Sequence, residues 1–388
     1  MRRLLVLCSA MILFEVAFYS AIAPLLPDYV SNLGLSKAEA GVLSAAYAAG
    51  TLVASLPAGL LATRAGPRRT VLAGLALLGV SSLAFGFAQQ ITLLDCARFS
   101  QGVAGALIWS GALAWLVGAA PPERRGSVLG TAIGTAVAGA LIGPALGALA
   151  AEIGTKAVFG AVLGISVAIG VFVWRTPEAS PPERQDLRTV LAAMLSRPVL
   201  TGAAFLAVPS LMAGVIEVLV PLRIADLGGG HAVIAGGFIV GAAIEASLAP
   251  VVGRYSDRVG RRGPFVTGLC IAAAGMLGIA AAQVVGVVVG SLLVVSFGGG
   301  FCFTPALTIL TESAESRDLH QGFAAGLTNM AWATGQVLGG LVGGAAASMA
   351  GYAVPNVAVA ALLVGTAIYA LQRQMPTATP GPAPRMAE

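Results

Sequence analysis

Four charged side chains stand where an apolar chain has little reason to keep them. Glu15, Glu217 and Glu245 each lie inside a long aliphatic run, and Arg98 lies inside another, three residues after Asp95. Low dielectric penalises the ionised form of a carboxyl group. An acid in such a place can therefore bind and release a proton near neutral pH, or act as counter-charge for a cationic solute. Glu15, nine residues before Pro24, is the first choice for a proton site and Glu245 the second. Glu217 lies nearer one mouth, and Glu312 reads as a solvated charge at a helix end. The plain alternative for Glu15 is a buried carboxyl satisfied by a neighbouring Ser or Gln. For Arg98 it is an i,i+3 ion pair with Asp95 that simply neutralises it. An arginine at mid-membrane costs roughly 2.5–3.5 kcal/mol on insertion scales, which is the reason a functional role is read into it first.

Sparse aromatic and amide side chains surround these charges. Phe14, Phe18, Tyr19, Trp109 and Trp332, with Glu217, Asn329 and Gln336, read as the lining of an amphipathic cavity; Trp115, Phe205, Phe301 and Phe303 fall within helices too. Trp174 and Tyr352 are more simply anchors at the membrane interface. The four cysteines (Cys8, Cys96, Cys270, Cys302) lack metal-ligand spacing and read as buried small hydrophobes. His231 and His320 sit in expected loops, there is no His-Glu-x-x-His, and no phosphate-binding loop of the Walker type is present. Neither a metal, a cofactor, an enzyme activity nor ATP-driven pumping is expected.

Composition says what must position these residues. Of the 388 residues 57% are hydrophobic and 10% charged, and mean hydropathy is +0.89. Soluble domains carry about 25% charged residues, so lipid is the expected solvent. The net charge of +5 lies in short turns rather than on one face, which argues against a nucleic-acid partner. The pattern predicts an all-helical membrane protein with spans at 4–26, 38–62, 70–88, 92–117, 126–150, 155–174, 199–222, 231–252, 264–282, 285–310, 321–345 and 353–372. Each is long enough to cross about 30 Å of hydrocarbon. The first carries Glu15 and Pro24 and no small-residue cleavage site, so it is read as a helix rather than a leader.

All but four of the 22 Lys and Arg fall in the termini and the alternate loops sharing their side; the four are Lys37, Arg98, Lys156 and Arg223. The positive-inside rule then places both termini in the cytoplasm of a cell-membrane protein. The chain divides into a first six-helix bundle (1–174), a polar cytoplasmic linker (175–198), a second bundle (199–372) and a disordered tail (373–388). Two turns reveal the repeat. Gly59 to Arg69 reads G-L-L-A-T-R-A-G-P-R-R, and Gly253 to Arg262 reads G-R-Y-S-D-R-V-G-R-R, with Gly59 and Gly253 194 residues apart. Each is read as leaving a helix at its first glycine. Parallel repeats of six helices are an architecture of secondary transporters.

The chain resembles a twelve-helix member of the major facilitator superfamily over essentially its whole length, and specifically the drug:proton antiporter group. That family's loop motif, roughly G-x-L-x-D-R-x-G-R-R, is matched in the second half by Gly253, Asp257, Arg258, Gly260, Arg261 and Arg262. In the first half Gly59, Leu61, Arg64, Gly66 and Arg68 match, while Thr63 replaces the acid and Pro67 a base. The resemblance implies a conformational latch there; the bland reading is that these Arg residues only orient the protein. Arg98 followed by Gln101-Gly102 resembles the helix-4 motif associated with proton transfer. Gly139, Gly143, Pro144 and Gly147 resemble the antiporter motif of helix 5, with Ala148 in place of the last Gly. Small residues at that spacing make a flat packing face, although glycine is common throughout a chain that has 51 of them. Gly335, Gly339, Gly340 and Gly343 repeat the face without the proline. The resemblance implies a monomeric, proton-coupled exporter of small amphipathic or cationic compounds. A sugar or metabolite exporter of the same fold is the alternative, since Glu245 followed by Pro250 and a Gly-Arg turn resembles sugar-efflux members.

Overall fold

With no water in the hydrocarbon core, every backbone N–H and C=O of a spanning segment must find its partner within the protein. The computed structural model meets that demand with helices alone; it describes residues 1–121, 124–178, 187–317, 319 and 321–372. Residues 179–186 of the expected linker, His320 and the expected tail 373–388 lie outside the described residues. The helices are α1 (Arg2–Ser20), α2 (Leu26–Leu33), α3 (Lys37–Arg64), α4 (Pro67–Phe87), α5 (Ile91–Ala119), α6 (Arg125–Ile153), α7 (Thr155–Arg175) and α8 (Leu187–Met194). The second half continues with α9 (Arg197–Asp226), α10 (His231–Val259), α11 (Arg262–Ala281), α12 (Val285–Glu315), α13 (Gln321–Ala350) and α14 (Ala353–Gln372).

The expected spans are all present, with three differences. The first is broken: a 3-10 turn at Ala23–Leu25 separates α1 from α2, because Pro24 and Pro27 lack donors and each sits at the start of a new helical segment. Second, the helices outrun the apolar runs. α3 and α10 do not end at Gly59 and Gly253 but continue to Arg64 and Val259, and the chain turns at Gly66 and Gly260, whose φ values are +96° and +88°. In these two motifs the positive φ falls at Gly66 and Gly260, so it is there, and not at Gly59 or Gly253, that the turn requires glycine. Third, the linker contains the helix α8, with Val190 buried. Among the described residues eleven spans are long and apolar enough to cross a membrane. α13 is also long enough, at 30 residues. Its glycines, Asn329 and Gln336 make it less apolar, as suits a helix packed between α3 and α9.

The two halves are related as the sequence repeat requires. They meet through two equivalent pairings, α3 with α13 and α6 with α10. Glycines set the close approaches. A Cβ on Gly102 of α5 would collide with the Tyr47 carbonyl of α3, and one on Gly50 with the Phe99 carbonyl. Gly139, Gly143 and Gly147 of α6 lie on α1 at Leu13, Ala17 and Ala21, with Ser20 against Gly143 as well. Gly335 and Gly339 of α13 meet α9 at Ala207 and Leu211, whereas Gly340 and Gly344 meet α3 at Gly41. Van der Waals contact of this kind drives helix association where the hydrophobic effect gives little.

Two cysteines, Cys96 and Cys270, are exposed on the outer surface of the helices rather than buried; Cys8 and Cys302 are buried. Phe14 and Phe18 stack edge-on at 5.2 Å, Phe18 packs on Phe159 of α7, and Phe205 packs on Phe265 and Tyr369. Each of these ring contacts lies within a single half.

The close approach at Gly102 yields a specific expectation. Gly102→Val forces α3 and α5 apart and should lower the thermal unfolding midpoint of the purified protein by many degrees, in line with the roughly 1–3 kcal/mol or more of overpacking. Gly59→Ala meets nothing within 4 Å and should leave the midpoint unchanged or slightly higher. Differential scanning fluorimetry in detergent distinguishes the two.

Candidate functional site

Two ends of the bundle need names before the site can be placed. The terminal end carries Arg2, the linker and Gln372; the distal end carries the turns at 34–36, 227–230 and 351–352. Glu15 lies near the middle of α1 and is 1% exposed. Both carboxylate oxygens are held: the Tyr47 hydroxyl donates to Oε1, and Trp109 Nε1 donates to Oε2 at 2.9 Å. Gly105 of α5 makes the room, since a Cβ there would press on the Tyr47 hydroxyl and on Glu15 itself. Ser and Gln side chains therefore do not supply the partners expected of them.

Arg98 is also 1% exposed. It does not pair with Asp95: Asp95 faces the start of α3, near Glu39, and the buried Asp95 Oδ1 and Arg98 Nε both lack hydrogen-bond partners. The guanidinium points into the bundle, donating to Gln101 Oε1 at 3.0 Å and to the Tyr19 carbonyl at 3.2 Å. Gln101 in turn donates to Ser82 Oγ at 3.1 Å. The rings of Tyr47, Tyr19 and Phe85 lie 5.1, 5.9 and 6.0 Å from the guanidinium, within cation–π range. Tyr47 thus touches both charges, Glu15 through its hydroxyl and Arg98 through its ring. Arg98 lies two turns from the distal end of α5 rather than at mid-membrane.

Tyr19 carries the network into the second half. Its hydroxyl donates to Glu217 Oε2 of α9 at 2.9 Å and accepts from Gln336 Nε2 of α13 at 3.1 Å. Its ring stands 4.6 Å from Tyr47 and 5.5 Å from Trp332. Tyr19, Trp109, Glu217, Asn329 and Trp332 are half-buried and Gln336 is buried. Of the sequence-predicted residues, then, the structure brings Glu15, Tyr19, Arg98, Trp109, Glu217, Trp332 and Gln336 into one network. Asn329 lies outside its hydrogen bonds, two turns toward the terminal end from Gln336. Glu245 is separate, half-buried on α10 against Gly299 and Ser296 of α12.

The distal end is tied across the halves. His231, the first residue of α10 and not a loop residue, places Nε2 2.8 Å from Asp28 Oδ1 of α2. The backbone N–H of Ala38 donates to Ser348 Oγ at 2.9 Å. Lys37 and Arg223 converge on one ring, that of Tyr352, at 3.9 and 5.3 Å, and Tyr352 donates to Asp226 Oδ2 at 2.7 Å. Burial, and then Asp226, push the Tyr352 phenol upward, so it remains a donor. Beyond any anchoring role, this tyrosine joins the halves.

At the terminal end the charged turns hold to their own halves. Arg261 donates from Nη1 to Asp257 at 2.9 Å and from Nε and Nη2 to Glu312 of α12, so Glu312 is a partnered charge rather than a solvated one. Those bonds, Glu312 first, raise the Arg261 guanidinium above its ordinary value. Arg68 pairs with Glu178 at 3.6 Å. Among the described residues no ion pair joins the two halves at this end. Arg64, Arg258 and Arg262 take no part in these pairs.

Sequence reasoning missed Tyr47, Ser82, Asp28 and Glu178. A tyrosine within one helical turn of a glycine-paired face was the available signal for Tyr47; the others depend on contacts far apart in the chain.

A sequence model described as the Major Facilitator Superfamily matches residues 7–319 and 248–387. Among curated relatives, the MFS-type transporter ppzB of Metarhizium majus is 30% identical over 123 residues, covering 30% of this chain and 27% of its own. The quinolone resistance protein NorA of Staphylococcus aureus is 27% identical over 109 residues, 28% of each chain. The alignments thus span just over a quarter of those relatives. Among solved structures, a bacterial homolog to the human lysosomal transporter Spinster, inward-facing and occupied, superposes with a TM-score of 0.80 at 14% identity over 96% of both chains. The same homolog inward-facing and unoccupied gives 0.74 at 13% identity over 95% of both. Identities this low establish the fold alone.

The bridging role of Tyr19 has a measurable consequence. Tyr19→Phe keeps the ring stack but leaves the Glu217 and Gln336 groups short of a partner, a loss of about 1–3 kcal/mol. Its unfolding midpoint should fall by several degrees, whereas Asn329→Ala, outside the network, should change it by less than half as much.

Proposed function

We propose that this chain, which belongs to the major facilitator superfamily and is a multi-pass membrane transporter, exports small amphipathic cationic compounds in exchange for protons. The observation that carries this reading is Glu15: an acid at mid-helix, enclosed on both oxygens, one residue removed through Tyr47 from the buried Arg98. Such a group is expensive to keep in hydrocarbon and is a functional site by default. Its enclosure by two neutral donors leaves it able to exist charged or protonated without rebuilding the packing.

Protonation supplies the coupling. A charged Glu15 is best satisfied by Tyr47 and Trp109 as they stand. A neutral one no longer needs two donors, and it frees Tyr47 and Trp109 to turn toward a solute in the adjoining half-buried space. Tyr19, Glu217, Trp332 and Gln336 line that space with aromatic faces and one carboxylate, a lining that suits a cation with an apolar body. Asp95 takes no direct part, Glu245 serves as a second proton site on the other half, and Phe14 and Phe18 support α1 from behind.

With both termini in the cytoplasm, as the distribution of Lys and Arg supports, the distal ties join the halves at the outer face. Alternating access requires those ties to break. The name of the Staphylococcus aureus relative, a quinolone resistance protein, supports drug-like cargo. The turn glycines Gly66 and Gly260, with Arg64, Arg258 and Arg262, would then set the turns that move.

The test uses reconstituted vesicles and the cationic dye ethidium. With a pH gradient imposed, wild type should accumulate dye at least several-fold against its gradient. Glu15→Gln keeps the shape and loses the proton, so it should let dye equilibrate without accumulating it. Full gradient-driven accumulation by Glu15→Gln would move the coupling role to Glu217 or Glu245, and transport of sugars but not dye would overturn the choice of cargo.

A further inference from the structure

The two charged turns are copies that have diverged, and the divergence is concerted. In the second half three residues make a tie: Asp257, Arg261 and Glu312. Stepping back along the repeat of 194 residues places Thr63, Pro67 and Gly118 at the equivalent positions. The acid, the base and the second acid are all gone. A turn that had lost only its first acid would still keep the base and the carboxylate of the neighbouring helix, paired with each other as Arg261 and Glu312 are; this one keeps neither.

What occupies the place is a residue from outside the repeat. Glu178, three residues beyond the end of α7, pairs with Arg68 Nη2 at 3.6 Å. Its Oε1 lies against the Cα of Gly66, close enough that a Cβ there would collide with it. Gly66 is the residue that turns the chain into α4, so the carboxylate sits beside the start of that helix, where the helix dipole favours an anion. The other side of Arg68 is covered by the ring of Trp174, 5.9 Å away at the end of α7. Thr63 plays no electrostatic part; its hydroxyl donates to the Leu60 carbonyl at 2.9 Å.

We propose that Glu178 replaces the missing acid of the first turn, and that the tie it forms with Gly66, Arg68 and Trp174 anchors the start of the inter-half linker to the first half. In the second half the equivalent turn is fastened to α12. In the first half the fastening has passed from α5 to the linker. The turn and residues 176–178 consequently move as one piece when the halves rock. Pro67 fits this reading: a base there would compete with Arg68 for the carboxylate, and proline both removes it and starts α4.

Hydrogen–deuterium exchange of the full-length protein in lipid nanodiscs tests the tie without any transport assay. Peptides covering residues 174–178 and 66–70 should exchange roughly two- to fivefold faster in Glu178→Gln, the range an exposed pair supports. Arg68→Glu should do the same, and the charge-swapped double variant Arg68→Glu/Glu178→Arg should return both peptides toward wild-type exchange. Thr63→Asp alone should not slow exchange in Glu178→Gln, because its i+4 neighbour is Pro67 rather than a base. Unchanged exchange in Glu178→Gln, or two faster single variants that the swap fails to recover, would overturn the proposal. Recovery by Thr63→Asp alone would also overturn it, since the first turn would then be a damaged copy of the second.

Discussion

A carboxylate buried in hydrocarbon must be paired, hydrogen-bonded or neutral. Glu15 is held by the first of its options that needs no second charge: two neutral donors, the hydroxyl of Tyr47 and the indole of Trp109. Much else follows from that constraint. Tyr47 and Trp109 reach Glu15 only because α1, α3 and α5 pack closely, and they do so through Gly50, Gly102 and Gly105. The cation that balances the region, Arg98, is kept one step away, facing the rings of Tyr47 and Tyr19 and the amide of Gln101. A direct Glu15–Arg98 pair would be a fixed ion pair. The intervening tyrosine instead touches both, the acid through its hydroxyl and the cation through its ring.

The second dependency runs across the bundle. Tyr19 is on the same face of α1 as Glu15, one turn on, and it is the residue through which the first half touches Glu217 and Gln336 of the second. Rearrangement at Glu15 is therefore felt by the ring stack Tyr47–Tyr19–Trp332 and by the acid of α9. The distal ties at His231–Asp28 and at Tyr352 add closure at one end, while the charged turns at the other end bind only within their own halves.

The architecture was legible in the sequence because hydrophobic length is a strong signal and because the turn at Gly59 recurs at Gly253. Glu15 was legible as a lone acid in an apolar helix. Helix ends were not: Gly59 and Gly253 lie inside helices, since one glycine costs a helix only about 1 kcal/mol, and only positive φ identified Gly66 and Gly260 as the true turns. The Asp95–Arg98 pair suggested by spacing does not form because the two side chains leave α5 toward different neighbours. Tyr47 and Glu178 were invisible for a different reason. A tyrosine in an apolar run or a glutamate in a linker has no meaning until folding sets it beside Glu15 or Arg68.

The central claim is that Glu15 is the carboxyl group whose protonation changes within the working pH range. Infrared difference spectra of the protein in lipid, recorded between mildly acidic and alkaline pH, measure this directly through the carboxyl C=O stretch. The account predicts a protonated-carboxyl band that disappears in Glu15→Gln and persists in Glu217→Gln. A band that survives in Glu15→Gln and vanishes in Glu217→Gln would contradict it.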